Sequence, residues 1–166
     1  MFLQKTKNGE KRQSREINIR CEMAKFPMKF EVQTTASSGV QLPWTSQTDL
    51  LPPIPIAIPP EFSGPGGGYS PEDLFSLAVV NCIIATFKVY CEKSKLAFQT
   101  VQGKAILTVD KLPSENGFGM VQIDITLDIT GASDKEKAKK TMELSIKDCA
   151  VSNSIKSGKT FHINVD

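Results

Sequence analysis

Residues 70–91 read SPEDLFSLAVVNCIIATFKVYC, and this stretch decides the fold. Ser70 suits a helix N-cap, Pro71 the first helical position, and Asp73 completes a capping-box pattern three residues on. Glu72 lies where the positive end of a helix dipole favours a carboxylate. From Leu74 to Tyr90 there is scarcely a polar face, so the expected helix, Pro71 to Lys93, should be buried all round. In a chain of 166 residues a second copy is the simplest source of that cover. Cys82 and Cys91, nine residues apart, are set about 180° from each other around such a helix and cannot bond within it.

Outward from the helix, the chain reads as α+β. KFEVQTT from Lys29 and VQLPW, separated by a turn at 37–39, suggest a hairpin. The segment LPWTSQTDLLPPIPIAIPPEFSGPGGG holds seven of the ten prolines and reads as a long irregular loop, its Leu and Ile residues packed on something apolar. LAFQTVQGKAILTVDKL reads as one strand or two, followed by a turn at 113–117. In MVQIDITLDIT, Val121, Ile123, Ile125, Leu127 and Ile129 alternate with polar neighbours and should face the core. Ser133 and Glu136 form a second capping-box pattern for a helix running through Met142 and Ile146 towards Cys149. TFHINVD is a last strand, with His162 turned to water. Residues 1–22, with six basic and three acidic side chains, read as a solvated basic tail ahead of a single domain over 23–166.

The totals limit the function. A net charge of +2, with no basic stripe interleaved with aromatics, argues against nucleic-acid binding. The apolar runs look too short for a membrane span, and MFLQKTKNGEKRQSRE lacks a signal-peptide core, so the expected compartment is the cytoplasm. There the four cysteines should be reduced or redox-active rather than a structural framework. With no CxxC and a single histidine, a structural zinc site is not expected. Cys21 and Cys91 read as incidental. Cys149 follows the last turn of a helix, whose negative end should keep its thiol protonated.

The segment SPEDLFSLAVVNC resembles the signature of the OsmC/Ohr family, in which N/S-P-E-x-L opens a long buried helix with a cysteine ten residues after the glutamate. DCAVSNSI is similar to the second family landmark, a cysteine before a small residue and V-S, although Ala150 replaces the common proline. The order of elements matches as well, so the resemblance covers roughly 24–166. It implies an intertwined homodimer with antiparallel sheets around a buried central helix and sites between subunits. The implied activity is thiol-dependent reduction of organic hydroperoxides. On this chain Cys82 would be the attacking thiolate and Cys149 the resolving thiol, with no bound cofactor and an external, lipoyl-type dithiol as reductant. Glu72 would pair with a strand arginine, but Arg12, Arg15 and Arg20 all lie in the tail. Lys29 falls nearest the expected place, with Lys25 next; a solvated lysine is the competing reading. Glu72 lies about 15 Å along the helix from Cys82, so the two cooperate only through a cation or across subunits.

The Leu/Ile/Pro-rich loop at 43–62 would line a slot for an alkyl tail, making a greasy hydroperoxide the expected substrate. Two rival readings remain: a non-catalytic protein binding an apolar ligand in that slot, and a cysteine hydrolase pairing Cys82 with His162.

Overall fold

The structure, a computed structural model, describes residues 26–112 and 117–166. Residues 33–166 form one compact unit, and the described residues 26–32 belong to another. The expected tail 1–22, Cys21, Lys25, the arginines and most of the turn at 113–117 lie outside the described residues.

Helix α1 spans Pro71–Ser94, within one residue of the expected end. Its entrance is a complete capping box. The Ser70 hydroxyl accepts from the Asp73 N–H at 3.0 Å and the Asp73 carboxylate accepts from the Ser70 N–H at 2.9 Å. It ends at Lys95, in the left-handed region at φ 53°, whose N–H returns to the Cys91 and Glu92 carbonyls.

Among the described residues, six strands form two three-stranded sheets. Strands β1 (Gln33–Thr35), β2 (Trp44–Gln47) and β3 (Ile54–Ile56) pair antiparallel in chain order. Here the sequence reading needs three corrections. Strand β1 begins at Gln33, so Lys29 is outside it and exposed. The second strand begins at Trp44, after a turn closed by Leu42 N–H to the Gly39 carbonyl at 3.2 Å. The proline-rich stretch also contains a strand. Pro55 sits opposite Thr45, but its carbonyl accepts from Tyr69 N–H at 2.9 Å on the other edge. Its missing N–H therefore falls on the side away from β2 and removes no rung of that pairing.

Strands β4 (Thr100–Lys111), β5 (Phe118–Thr130) and β6 (Gly158–Val165) make the larger sheet, with β5 central. The β4–β5 pair is antiparallel, and a bulge beside Thr108/Val109 passes over Val121, which is only half-buried. Beyond the bulge, Ile123, Ile125, Leu127 and Ile129 are buried as their alternation predicts. Strand β6 runs parallel to β5, a correction to a purely antiparallel reading. The reason is topological: helices α2 (Lys135–Asp148) and α3 (Ala150–Ser154) provide the crossover a parallel pair needs. Asp134, not Ser133, caps α2, its carboxylate accepting from Lys137 N–H at 2.9 Å, while the Ser133 hydroxyl accepts from Ala97 N–H at 3.2 Å.

Helix α1 packs on the large sheet with Val79, Val80, Ile83, Phe87 and Cys91 buried against Ile123, Ile125, Leu127, Ala138 and Met142. Gly103 on β4 lets it come close, since a Cβ there would stand 2.4 Å from a Val80 methyl. By length and composition α1 is apolar enough to cross a membrane, with a mean hydropathy of 1.8, against the expectation that no run would be. Its place in this core accounts for that apolarity. Nor is it buried all round: Leu77, Ala78, Asn81, Ala85, Lys88 and Val89 form an exposed strip in the single chain. Asn81 and Lys88 are the polar marks of that strip.

Candidate active site

The chain breaks between α2 and α3 at Cys149, whose φ of −68° and ψ of 111° make it both the last cap of one helix and the first of the next. That break turns its thiol inward, where it is fully buried. There it neighbours Cys82, in the middle of α1. Cys82 itself is partly buried against the core cluster, and both are free thiols. So two cysteines 67 positions apart in sequence meet at one place.

Burial first and the neighbouring Cys82 thiol second push the Cys149 thiol up to about 11, against the Ser152 N–H donated to its sulfur at 3.3 Å, which acts the other way. The expected cause, the negative end of α2, gives way here to burial and the neighbouring thiol. Chemically, a thiol raised in this way keeps its proton at neutral pH, and a sulfur that keeps its proton does not attack first. Cys91 is also buried and raised to about 11 by that burial, with Lys137 opposing. It packs in the core, as an incidental cysteine should.

Glu72 sits at the other end of the same helix. Asp73 does the capping, which leaves Glu72 without that role. Its Oε2 is buried and has no hydrogen-bond partner among the described residues. The carboxylate lines a cavity of 1380 Å³ between the first turns of α1, the 55–69 loop and the face of β4. Pro55, Pro59, Pro60 and Phe62 supply the loop wall, and Phe62 stacks on Phe118 of β5 with ring centroids 5.3 Å apart. A cavity thus adjoins the later part of this loop, from Pro55 onward, with two differences from the expected slot. Leu50 and Leu51 are exposed rather than packed. Cys82 is not among the residues lining the cavity, which ends at Val80 on the helix.

Lys29 is exposed, in no strand, and belongs to the separate unit of the chain. His162 is exposed on the outer face of β6, while its neighbours Phe161 and Ile163 pack on the side that α1 covers. A hydrolase pairing His162 with Cys82 therefore has no geometric basis. Two further residues bear on the site without a sequence signal strong enough to find them. The Tyr90 hydroxyl donates to the Asp148 carboxylate at 2.6 Å, tying α1 to the residue just before Cys149.

Comparison with known proteins gives this architecture a relation. Residues 64–164 match the model of the family described as OsmC-like protein, a span from the 55–69 loop to the last strand that includes Glu72, Cys82 and Cys149. The chain belongs to the OsmC-like family. Among solved structures this OsmC-like protein is similar to one of unknown function from Vibrio cholerae, with a TM-score of 0.71 at 16% identity over 82% of this chain and 99% of that one. It is also similar to an organic hydroperoxide resistance protein from Legionella pneumophila, with a TM-score of 0.63 at 21% identity over 86% and 99% of the two chains. An uncharacterised protein of Acinetobacter baylyi is 26% identical over 140 residues, 82% of this chain and 90% of that protein. At these identities the structural likenesses establish the fold.

Proposed function

We propose that this OsmC-like protein is a thiol-dependent peroxidase of organic hydroperoxides. The observation that carries the reading is the meeting of Cys82 with a buried, proton-holding Cys149. The Cys82 thiolate attacks the outer peroxide oxygen. The O–O bond breaks, the alkoxide takes a proton and leaves as the alcohol, and Cys82 becomes a sulfenic acid. The Cys149 sulfur then displaces hydroxide, which departs as water with the Cys149 proton, and a disulfide results. An external dithiol, lipoyl-type by family resemblance, restores both thiols; no bound cofactor or metal enters the scheme.

Within one chain the cavity and the thiols are separate, and α1 has an exposed strip beside the cavity. An intertwined homodimer reconciles these facts: a second copy covers Leu77 and Val89 and brings the Glu72 cavity of one subunit towards the thiols of the other. The apolar loop wall favours a hydrocarbon-tailed substrate over hydrogen peroxide. The cytoplasm suits a protein whose cysteines must be returned to the reduced state.

The decisive experiment mixes reduced protein with cumene hydroperoxide and a dithiol and follows peroxide loss. Wild type should consume it, Cys82→Ser should not, and Cys149→Ser should react once and stall. Equal consumption by wild type and Cys82→Ser would end the reading. A second reading, non-catalytic binding of an apolar ligand, draws on the same cavity and on an unpartnered Glu72. It predicts saturable binding of a fluorescent fatty acid by a protein that leaves the hydroperoxide intact.

A further inference from the structure

Cys149 sits at a joint. A residue in extended conformation between two helices, one of only five residues, leaves its side chain free to swing unless something fixes the helix ends on either side. A disulfide demands a sulfur–sulfur distance of about 2.05 Å and a narrow range of dihedral angles, so small errors in that joint are costly. The described residues contain a set of ties around it. The Asn153 side chain donates to the Lys147 carbonyl at 2.7 Å, stitching α3 back onto α2. Lys159 donates to the Ser152 and Ile155 carbonyls at 3.0 and 3.2 Å, closing the far end of α3. These ties stiffen the joint but do not join it to the helix that carries Cys82.

Two side-chain hydrogen bonds among the described residues join α2 to α1. Lys137 donates to the Ser94 carbonyl from the first turn of α2, remote from the joint. Tyr90 donates to Asp148, the residue immediately before Cys149, at 2.6 Å. Tyr90 and Cys82 are eight residues apart on one helix, a rigid spacer of about 12 Å. We infer that Tyr90 and Asp148 are positioning residues that hold the Cys149 thiol against Cys82 and so set how fast the two sulfurs join. Asp148 draws the phenol proton into a short charge-assisted hydrogen bond, and burial together with Asp148 raises Tyr90 to about 12, so the donor persists across the physiological range.

The consequence is a division of labour. Losing the tie leaves attack on the peroxide unaffected, because Cys82 lies on the other, unbroken helix. It slows the condensation that follows, and the sulfenic acid left waiting meets a second peroxide and becomes a sulfinic acid. This rests on the peroxidase reading above only for its biological meaning; the positioning itself is measurable without peroxide.

The test uses the full chain with Tyr90→Phe, Asp148→Ala and Asp148→Asn, the last retaining an acceptor oxygen. In glutathione buffers, Tyr90→Phe and Asp148→Ala should form the Cys82–Cys149 disulfide about tenfold less favourably than wild type, a shift of about 30 mV, while Asp148→Asn stays within about threefold. With excess cumene hydroperoxide, the first two variants should match wild type in the first turnover but accumulate at least fivefold more Cys82 sulfinic acid by mass spectrometry. An unchanged disulfide equilibrium in Tyr90→Phe overturns the inference, as does an Asp148→Asn as impaired as Asp148→Ala. If wild type bridges in glutathione buffer yet ignores hydroperoxide, the peroxidase reading fails while the positioning stands.

Discussion

The two halves of helix α1 differ in what surrounds them. The first turns, around Glu72, Ser76 and Leu77, border a cavity of 1380 Å³ and carry a buried carboxylate oxygen without a partner. The second half, from Val79 to Cys91, is packed against the large sheet and α2, with Ile83 and Phe87 fully buried and Cys82 beside Cys149. One helix therefore has an open end beside a cavity and a closed end where two thiols lie side by side. A straight helix cannot bring them together, which is the physical argument for a second copy.

Ways to break this contrast can be ranked by size. Cys82→Ser should lower hydroperoxide turnover at least about 10³-fold, since the other two cysteines among the described residues are buried; residual turnover within tenfold of wild type would move the chemistry away from the closed end. Phe87→Ala should destabilise by about 3–5 kcal/mol in urea melts, whereas Leu77→Ala in the open half should cost under about 1 kcal/mol for a lone chain. A concentration-dependent loss for Leu77→Ala would instead show that half covered by a partner copy.

Alkali provides the third test. The Cys149 thiol is raised from 9.0 to about 11 in the folded protein, so folding favours its protonated form. That contribution is complete below pH 9 and is lost as the pH climbs through about 11, on the order of 2 kcal/mol. Under reducing conditions, the stability gap between wild type and Cys149→Ser should narrow over that window; a constant gap would mean the closed end does not hold the proton. In the open half, Glu72→Gln should cut kcat/KM for cumene hydroperoxide about tenfold while leaving the melting temperature within a degree or two, because no internal hydrogen bond is lost. At a similarly small scale, Ser70→Ala should remove half of the capping box and cost about 1 kcal/mol, read in urea melts.

Much of helix α1 and of the large sheet was legible in advance because the signals are local. The capping box at Ser70, the apolar run behind it and the alternation from Ile123 to Ile129 follow from residue spacing alone. The failures share a cause. Asp134 replaced Ser133 as a cap because Ser133 had a distant partner, the Ala97 N–H. Pro55 entered a strand because its bare nitrogen met an edge rather than a rung. Asn81 and Lys88 fell on one exposed strip of α1 that an apolar tally had concealed. In each case the deciding neighbour was far away in sequence.

By itself, then, the sequence determined the two long helices and the long alternating strand of the large sheet, and that Cys82 and Glu72 must sit on one rod some three turns apart, because those properties arise from contacts a few residues long. Only the tertiary structure decided that Cys149 meets Cys82, that β6 lies parallel to β5, and that Glu72 faces a cavity with its Oε2 unpartnered among the described residues. Those outcomes depend on how packed surfaces roughly 35 to 70 residues apart exclude water from one another, and no local spacing encodes them.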